Sequence, residues 1–173
     1  MEKKFKNLIS VRASLIFLYL ALTFPLPIIA SKELKLVAIS LFVLGFFIII
    51  DITNDYLITC ENKISYRVSF TSSILGKKSW EIFWKDIKSI KSLPTSQGSK
   101  VHYFVTNKEE SFLVPQRIEN FQKFLSIISI KTNLKVNKLS YLSPLWTYKL
   151  LASLSISMII GEISKFSALF YSL

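Results

Sequence analysis

A chain of 173 residues holds about one domain's worth of sequence, and 51% of it is hydrophobic with a mean hydropathy of +0.43 while 19% is charged, so the apolar residues must be gathered into blocks. The net charge of +11 rests on 19 Lys and 3 Arg, and because planar, bidentate recognition of phosphates and bases favours Arg, the balance argues against nucleic acid as a partner. Cys60 is the single cysteine and His102 the single histidine, which excludes an intrachain disulfide and a His/Cys zinc site within one chain.

Residues Ala13 to Ala30 (ASLIFLYLALTFPLPIIA) run without a charge for close to the length that crosses a hydrocarbon core. The basic residues before them, Lys3, Lys4, Lys6 and Arg12, also suit a secretory signal peptide. A second apolar block, Leu36 to Ile50 (LVAISLFVLGFFIII), follows after the polar turn Ser31 to Lys35, and two blocks with a short turn argue instead for a transmembrane helical hairpin. Pro25 and Pro27 kink or end the first helix near its far side, where a broken backbone costs less than at mid-membrane. Four basic residues precede the first block, two lie in the turn and fourteen lie between Thr53 and Ser143, so the N-terminal and central regions are expected to face the cytoplasm. Asp51 closes the second block and is expected in the headgroup layer.

From Asp55 the texture changes to short segments of β-formers punctuated by turn residues. Tyr56 to Cys60, the turn Glu61-Asn62-Lys63 and Ile64 to Phe70 read as a hairpin, with Ile64, Tyr66, Val68 and Phe70 on one face. Ser79 to Phe83 and Ile87 to Leu93 read as strands joined through Trp84-Lys85-Asp86, and Leu93 to Ser99 as a loop. Lys100 to Thr106 and Ser111 to Val114, around the turn Asn107 to Glu110, form another hairpin, for about six strands in all. Pro115 suits the first turn of a helix in which Ile118, Phe121, Phe124, Leu125 and Ile128 share the apolar face. Finally Leu145 to Ile160 (LWTYKLLASLSISMII) is a third hydrophobic helix, either spanning the bilayer or lying in its interface, because Lys149, Glu162, Lys165 and three serines interrupt it.

The expected fold class is therefore an α+β membrane protein. Its divisions are a basic cytoplasmic N-terminus at 1–12, a transmembrane hairpin at 13–52, a cytoplasmic β domain with a closing helix at 53–133, a linker at 134–144, a third helix at 145–163 and a tail at 164–173. Three stretches, Tyr56-Leu57-Ile58-Thr59, Trp84 to Ile90 and the hairpin running into Pro115, carry a resemblance to the bacterial pleckstrin-homology-like domains of membrane proteins. It covers Asp55 to about Asn133 and implies a small antiparallel sheet domain closed by an amphipathic helix, marked by apolar spacing rather than by reactive residues. The layout is also similar to that of the photosystem I assembly factor of cyanobacteria and plastids, a two-span hairpin ahead of a small β-rich domain. That likeness implies a role in assembling a membrane complex, in a bacterial inner membrane or a thylakoid, and assigns no residue.

Catalytic chemistry finds few candidates. The four glycines, at 45, 76, 98 and 161, are too dispersed for a phosphate loop, His102 lies within an expected strand, and Glu109 and Glu110 sit at a hairpin tip as a solvated turn. No enzyme activity, cofactor or metal is expected. One constellation is suggestive: Lys77, Lys78, Lys85, Lys88 and Lys91, interleaved with Trp80 and Trp84, as contacts for anionic lipid or a protein partner. The alternative is a solvated sheet face with the tryptophans in the core. The preferred function is a non-catalytic adaptor docking a membrane-protein partner at the cytoplasmic surface. A lipid-sensing module is the alternative, and a transporter or channel subunit is disfavoured because it would want polar or ionisable groups facing inward at mid-membrane, where the first two spans offer none beyond Thr23 and Ser40. Homo-oligomerisation stays open, with Ser153 and Ser157 as a weak small-residue motif in the third helix.

Overall fold

The structure is a computed structural model and describes residues 2–96, 98–136 and 139–171. In chain order the elements are β1 (Lys3–Lys6), α1 (Ile9–Thr23), α2 (Pro25–Ile29), α3 (Lys35–Ile52), β2 (Tyr56–Thr59), β3 (Lys63–Arg67) and α4 (Phe70–Ile74). There follow β4 (Trp80–Phe83), a 3-10 turn (Trp84–Asp86), β5 (Ile87–Pro94), β6 (Lys100–Thr106), β7 (Ser111–Leu113), α5 (Phe121–Thr132) and α6 (Leu145–Tyr171). The chain divides into two compact units: residues 1–8 with 54–144, and residues 9–53 with 145–173.

The first unit holds two antiparallel sheets, ordered β1-β2-β3-β4 and β5-β6-β7. Alternation builds each face. Leu57, Ile64 and Ile82 are buried at register-paired or near-paired positions of the first sheet, and Phe104 is buried at the centre of the second. The 3-10 turn carries the chain from one sheet to the other, so β4 and β5 do not pair as a hairpin; β4 pairs with β3 and β5 with β6. Helix α5 closes the core with Phe121, Phe124, Leu125 and Ile128, which recur at helical spacing and are all buried. The residue that caps its C-terminus, Asn133, takes φ 55°, a left-handed conformation that Asn tolerates and that ends the helix.

Three expectations are corrected here. Lys3–Lys6 is not a free basic tail but an antiparallel partner of β2, running from Lys3 opposite Thr59 to Lys6 opposite Tyr56, with Phe5 buried against Phe124 at a ring separation of 5.7 Å. Phe70 does not continue β3: Ser69 caps α4 by accepting from the Ser72 amide, which turns the chain into a helix. Pro115 does not open α5; the chain after it bends at Arg117, Ile118 bridges to Asn7, and the helix begins at Phe121. The described residues of the expected linker at 134–144 are packed: Leu139 is buried, Leu134, Val136 and Tyr141 pack on the core, and the Ser140 carbonyl accepts from Gln116 Nε2. Gln97, within the expected loop, and Asn137 and Lys138, within that linker, lie outside the described residues.

The second unit is helical. Among the described residues three stretches are long and apolar enough to cross a membrane: Ile9–Ile29, Lys35–Ile52 and Leu145–Ala168. Helix α6 extends beyond the expected 145–163 as far as Tyr171, so the described part of the expected tail is helical, and residues 172 and 173 lie outside the described residues. Ser14 and Ala21 on α1 and Ser155 on α6 are buried where these helices pack, whereas Ser153 and Ser157 are exposed. Tyr19 supplies a polar group that the sequence reading passed over: its hydroxyl donates to the Phe42 carbonyl at 2.6 Å, and its ring stacks on Phe42. Gly45 leaves room for it, since a Cβ there would collide with the Tyr19 hydroxyl and lie 3.0 Å from Cζ.

Candidate functional site

The seven residues singled out from sequence do not form one surface. Trp84 is 4% exposed and donates its indole N–H to the Cys60 carbonyl at 3.0 Å. Trp80 is half-buried, stacked on Tyr66 and tilted against Phe112. Trp84 is therefore structural rather than a lipid or partner contact, and Trp80 packs against the same core. Lys77 and Lys78 end the α4 loop, Lys85 lies in the 3-10 turn over the Phe83 ring, and Lys88 and Lys91 are exposed on β5.

Lys77 is engaged by a group that sequence reasoning did not select. Asp55, 1% exposed at the entry to β2, accepts from Lys77 Nζ at 2.8 Å, the Ser69 amide at 2.8 Å, Ser72 Oγ at 3.2 Å and the Tyr66 hydroxyl at 3.2 Å. Burial alone pushes a carboxyl upward, but the Lys77 ammonium and the Ser69 and Ser72 donors outweigh it and hold Asp55 below its usual range. The same arrangement pushes the Tyr66 phenol upward, first by burial and then by the adjacent carboxylate. Asp55 thus ties the α4 loop to the start of β2.

That loop carries three exposed apolar side chains close together in the chain. Phe70, Ile74 and Leu75 are 77%, 69% and 66% exposed, and Phe70 and Ile74 share a face of α4 at a four-residue spacing. Gly76 takes φ 86° and returns the chain to Lys77 and Lys78.

A second surface lies on the outer face of β5-β6-β7. Ile90, Phe104 and Phe112 are register partners and face the core, so the adjoining row Lys91, Tyr103 and Leu113 faces outward. Leu93 stands opposite Val101 in the next row outward. Leu93 and Leu113 are both exposed, while Tyr103 and Val101 are partly covered. On the first sheet, by contrast, Glu81 is met by Lys63 at 2.9 Å and Arg67 at 3.2 Å, and Lys63 first, then Ser65, lowers its carboxyl.

The groups that catalysis would draw on are spread out. His102 is fully buried, its Nδ1 lies 2.7 Å from Ser92 Oγ, and burial followed by the Lys100 charge lowers its imidazole. Among the described residues no group of three His, Cys, Asp or Glu side chains is placed to hold a metal ion. A shallow hollow of about 210 Å³ is lined by Lys3, Thr59, Cys60, Glu61, Ile127 and Lys131, smaller than the sites that enclose most small-molecule ligands.

No protein-family model matches the chain. The chain is similar to an uncharacterized protein of Synechocystis sp., with 27% identity over 147 residues that cover 82% of this chain and 74% of the other.

Proposed function

We propose that this protein is a non-catalytic, membrane-anchored adaptor with a pleckstrin-homology-like domain, docking a membrane-protein partner at the cytoplasmic surface in support of the assembly of a membrane complex. The observation that carries the docking role is the outward row Lys91, Tyr103 and Leu113 with Leu93 beside it, an aromatic and aliphatic patch with a basic rim on an edge-bearing sheet. Two antiparallel sheets followed by one closing amphipathic helix support the pleckstrin-homology-like assignment.

The anchoring is supported by β-pairing. Because β1 and β2 are neighbours in one sheet, residues 8 and 54 leave and rejoin the same unit, and an apolar segment between them that enters a bilayer has to return to the side it left. A two-helix hairpin does this. The fourteen basic residues between Thr53 and Ser143 support the cytoplasm as that side. Tethering then raises the effective concentration of the patch near membrane partners. The adaptor reading is favoured over headgroup sensing by the proposed lysine cluster, because Asp55 occupies Lys77 and Trp84 faces the core.

The test is affinity purification of tagged full-length protein from native membranes in mild detergent, beside the variant Leu93→Asp with Leu113→Asp. Both positions are exposed, so the variant is expected to fold. A defined membrane protein that accompanies the wild type and is lost with the variant supports the adaptor; the same set of proteins with both chains removes this patch as the docking surface.

A further inference from the structure

We infer that α4 and the turn after it form a wedge that dips into the interface of the bilayer in which the protein is anchored, with Phe70, Ile74 and Leu75 among the acyl chains and Lys78 at the anionic headgroups. This rests on the proposed membrane anchoring and adds a lipid contact to it.

Three observations carry the inference. Phe70, Ile74 and Leu75 form a contiguous exposed apolar tip, set apart along the chain from the exposed Phe83, Leu93, Leu113 and Ile130 of the same unit. The tip is held rather than loose: Ser69 caps α4, Leu75 donates to the Thr71 carbonyl at 3.0 Å, and Lys77 donates to the Ser72 carbonyl at 3.0 Å. Chain length fixes its neighbourhood. Ile52 is the last residue of α3, and Asp55, three residues on, can lie no farther from it than about 10 Å. Asp55 is itself bonded to Ser69, Ser72 and Lys77, the residues that bracket the tip. With α3 spanning the bilayer, its end marks the interface, and the wedge lies within reach of it.

The chemistry of the tip selects lipid as the occupant. Aromatic and aliphatic side chains next to an exposed basic residue, here Lys78, are the composition that partitions into an anionic interface. A protein partner or a second copy of the chain would bury the same side chains, and the experiment separates these cases.

Full-length protein with Cys60→Ser is placed in nanodiscs of an equal mixture of phosphatidylcholine and phosphatidylglycerol, and single cysteines carrying an environment-sensitive fluorophore are introduced one at a time. Ile74→Cys reports the wedge, Lys108→Cys reports an exposed turn between β6 and β7, and Leu41→Cys reports the exposed flank of α3. The expected result is blue-shifted emission at position 74, with quenching by nitroxides near the headgroups several-fold stronger than at position 108, and little quenching by aqueous iodide. Position 41 is expected to be quenched by nitroxides deep in the acyl chains. If position 74 is as open to iodide as position 108 while position 41 is quenched from within the lipid, the wedge is refuted and the anchor stands. Loss of lipid quenching at position 41 refutes the anchor and the wedge together. A label at position 74 shielded from both iodide and lipid nitroxides would show that protein covers the tip, and would overturn the lipid assignment.

Discussion

Replacing Asp55 by Asn tests whether one buried carboxylate holds the α4 loop. The Ser69 amide addresses Oδ1, whereas Lys77, Ser72 and Tyr66 all address Oδ2. An Asn that keeps its oxygen toward Ser69 therefore turns its NH2 toward three donors. The two hydroxyls can rotate to accept, and Lys77, whose side chain is 50% exposed, can turn to water, so the net loss is about that of one charge-assisted hydrogen bond. Discounting for that exposure gives roughly 2 kcal/mol, which opens the loop about 30-fold more often. The assay is hydrogen exchange of the full-length protein in nanodiscs, comparing amides of residues 68–79 with those of Phe104 to Thr106 in β6. Faster exchange confined to the loop is expected. Lys77→Met should act in the same direction, and the double variant should lose less than the sum of the two. Because the folded carboxyl titrates below 3.8, its contribution is complete above that value and is lost only as the pH falls through the folded value, so the wild-type loop should keep its protection in mild acid. Unchanged exchange in Asp55→Asn would refute the claim that this carboxylate organises the loop.

Three further outcomes follow from the packing. Gly45→Val should destabilise the helical unit by about 1–3 kcal/mol through collision with Tyr19, and Tyr19→Ala in the same chain should relieve part of it, read as thermal stability in detergent. Phe5→Ala should cost roughly 3–5 kcal/mol and speed exchange across Leu57 to Thr59, an effect no solvated tail would produce. His102 titrates below 6.5 in the folded protein, so its contribution is complete above 6.5 and is lost as the pH falls through the folded value; the acid-side fall in denaturant stability should flatten in His102→Gln.

The apolar blocks, the change of texture at Asp55 and the helical face of α5 were legible in sequence because each is a local pattern: composition over a membrane's length, alternation along a strand, or a recurrence every three to four residues. The α+β class followed from these. The outward row on the second sheet was not legible, because it depends on which strands pair and in what register. Nor was β1. Lys-Lys-Phe-Lys offers a single apolar side chain among charges, and its strand character comes from β2, which lies on the other side of the whole hairpin. The tryptophans illustrate the same limit, since interleaved Lys and Trp at 77–91 suggest a binding stripe until the 3-10 turn moves the chain between sheets and directs Trp84 inward. Asp55 looked like an ordinary residue at a domain entry. Only tertiary contacts brought Tyr66, Ser69, Ser72 and Lys77 around it, because a buried charge is tolerable only where donors distant in sequence converge.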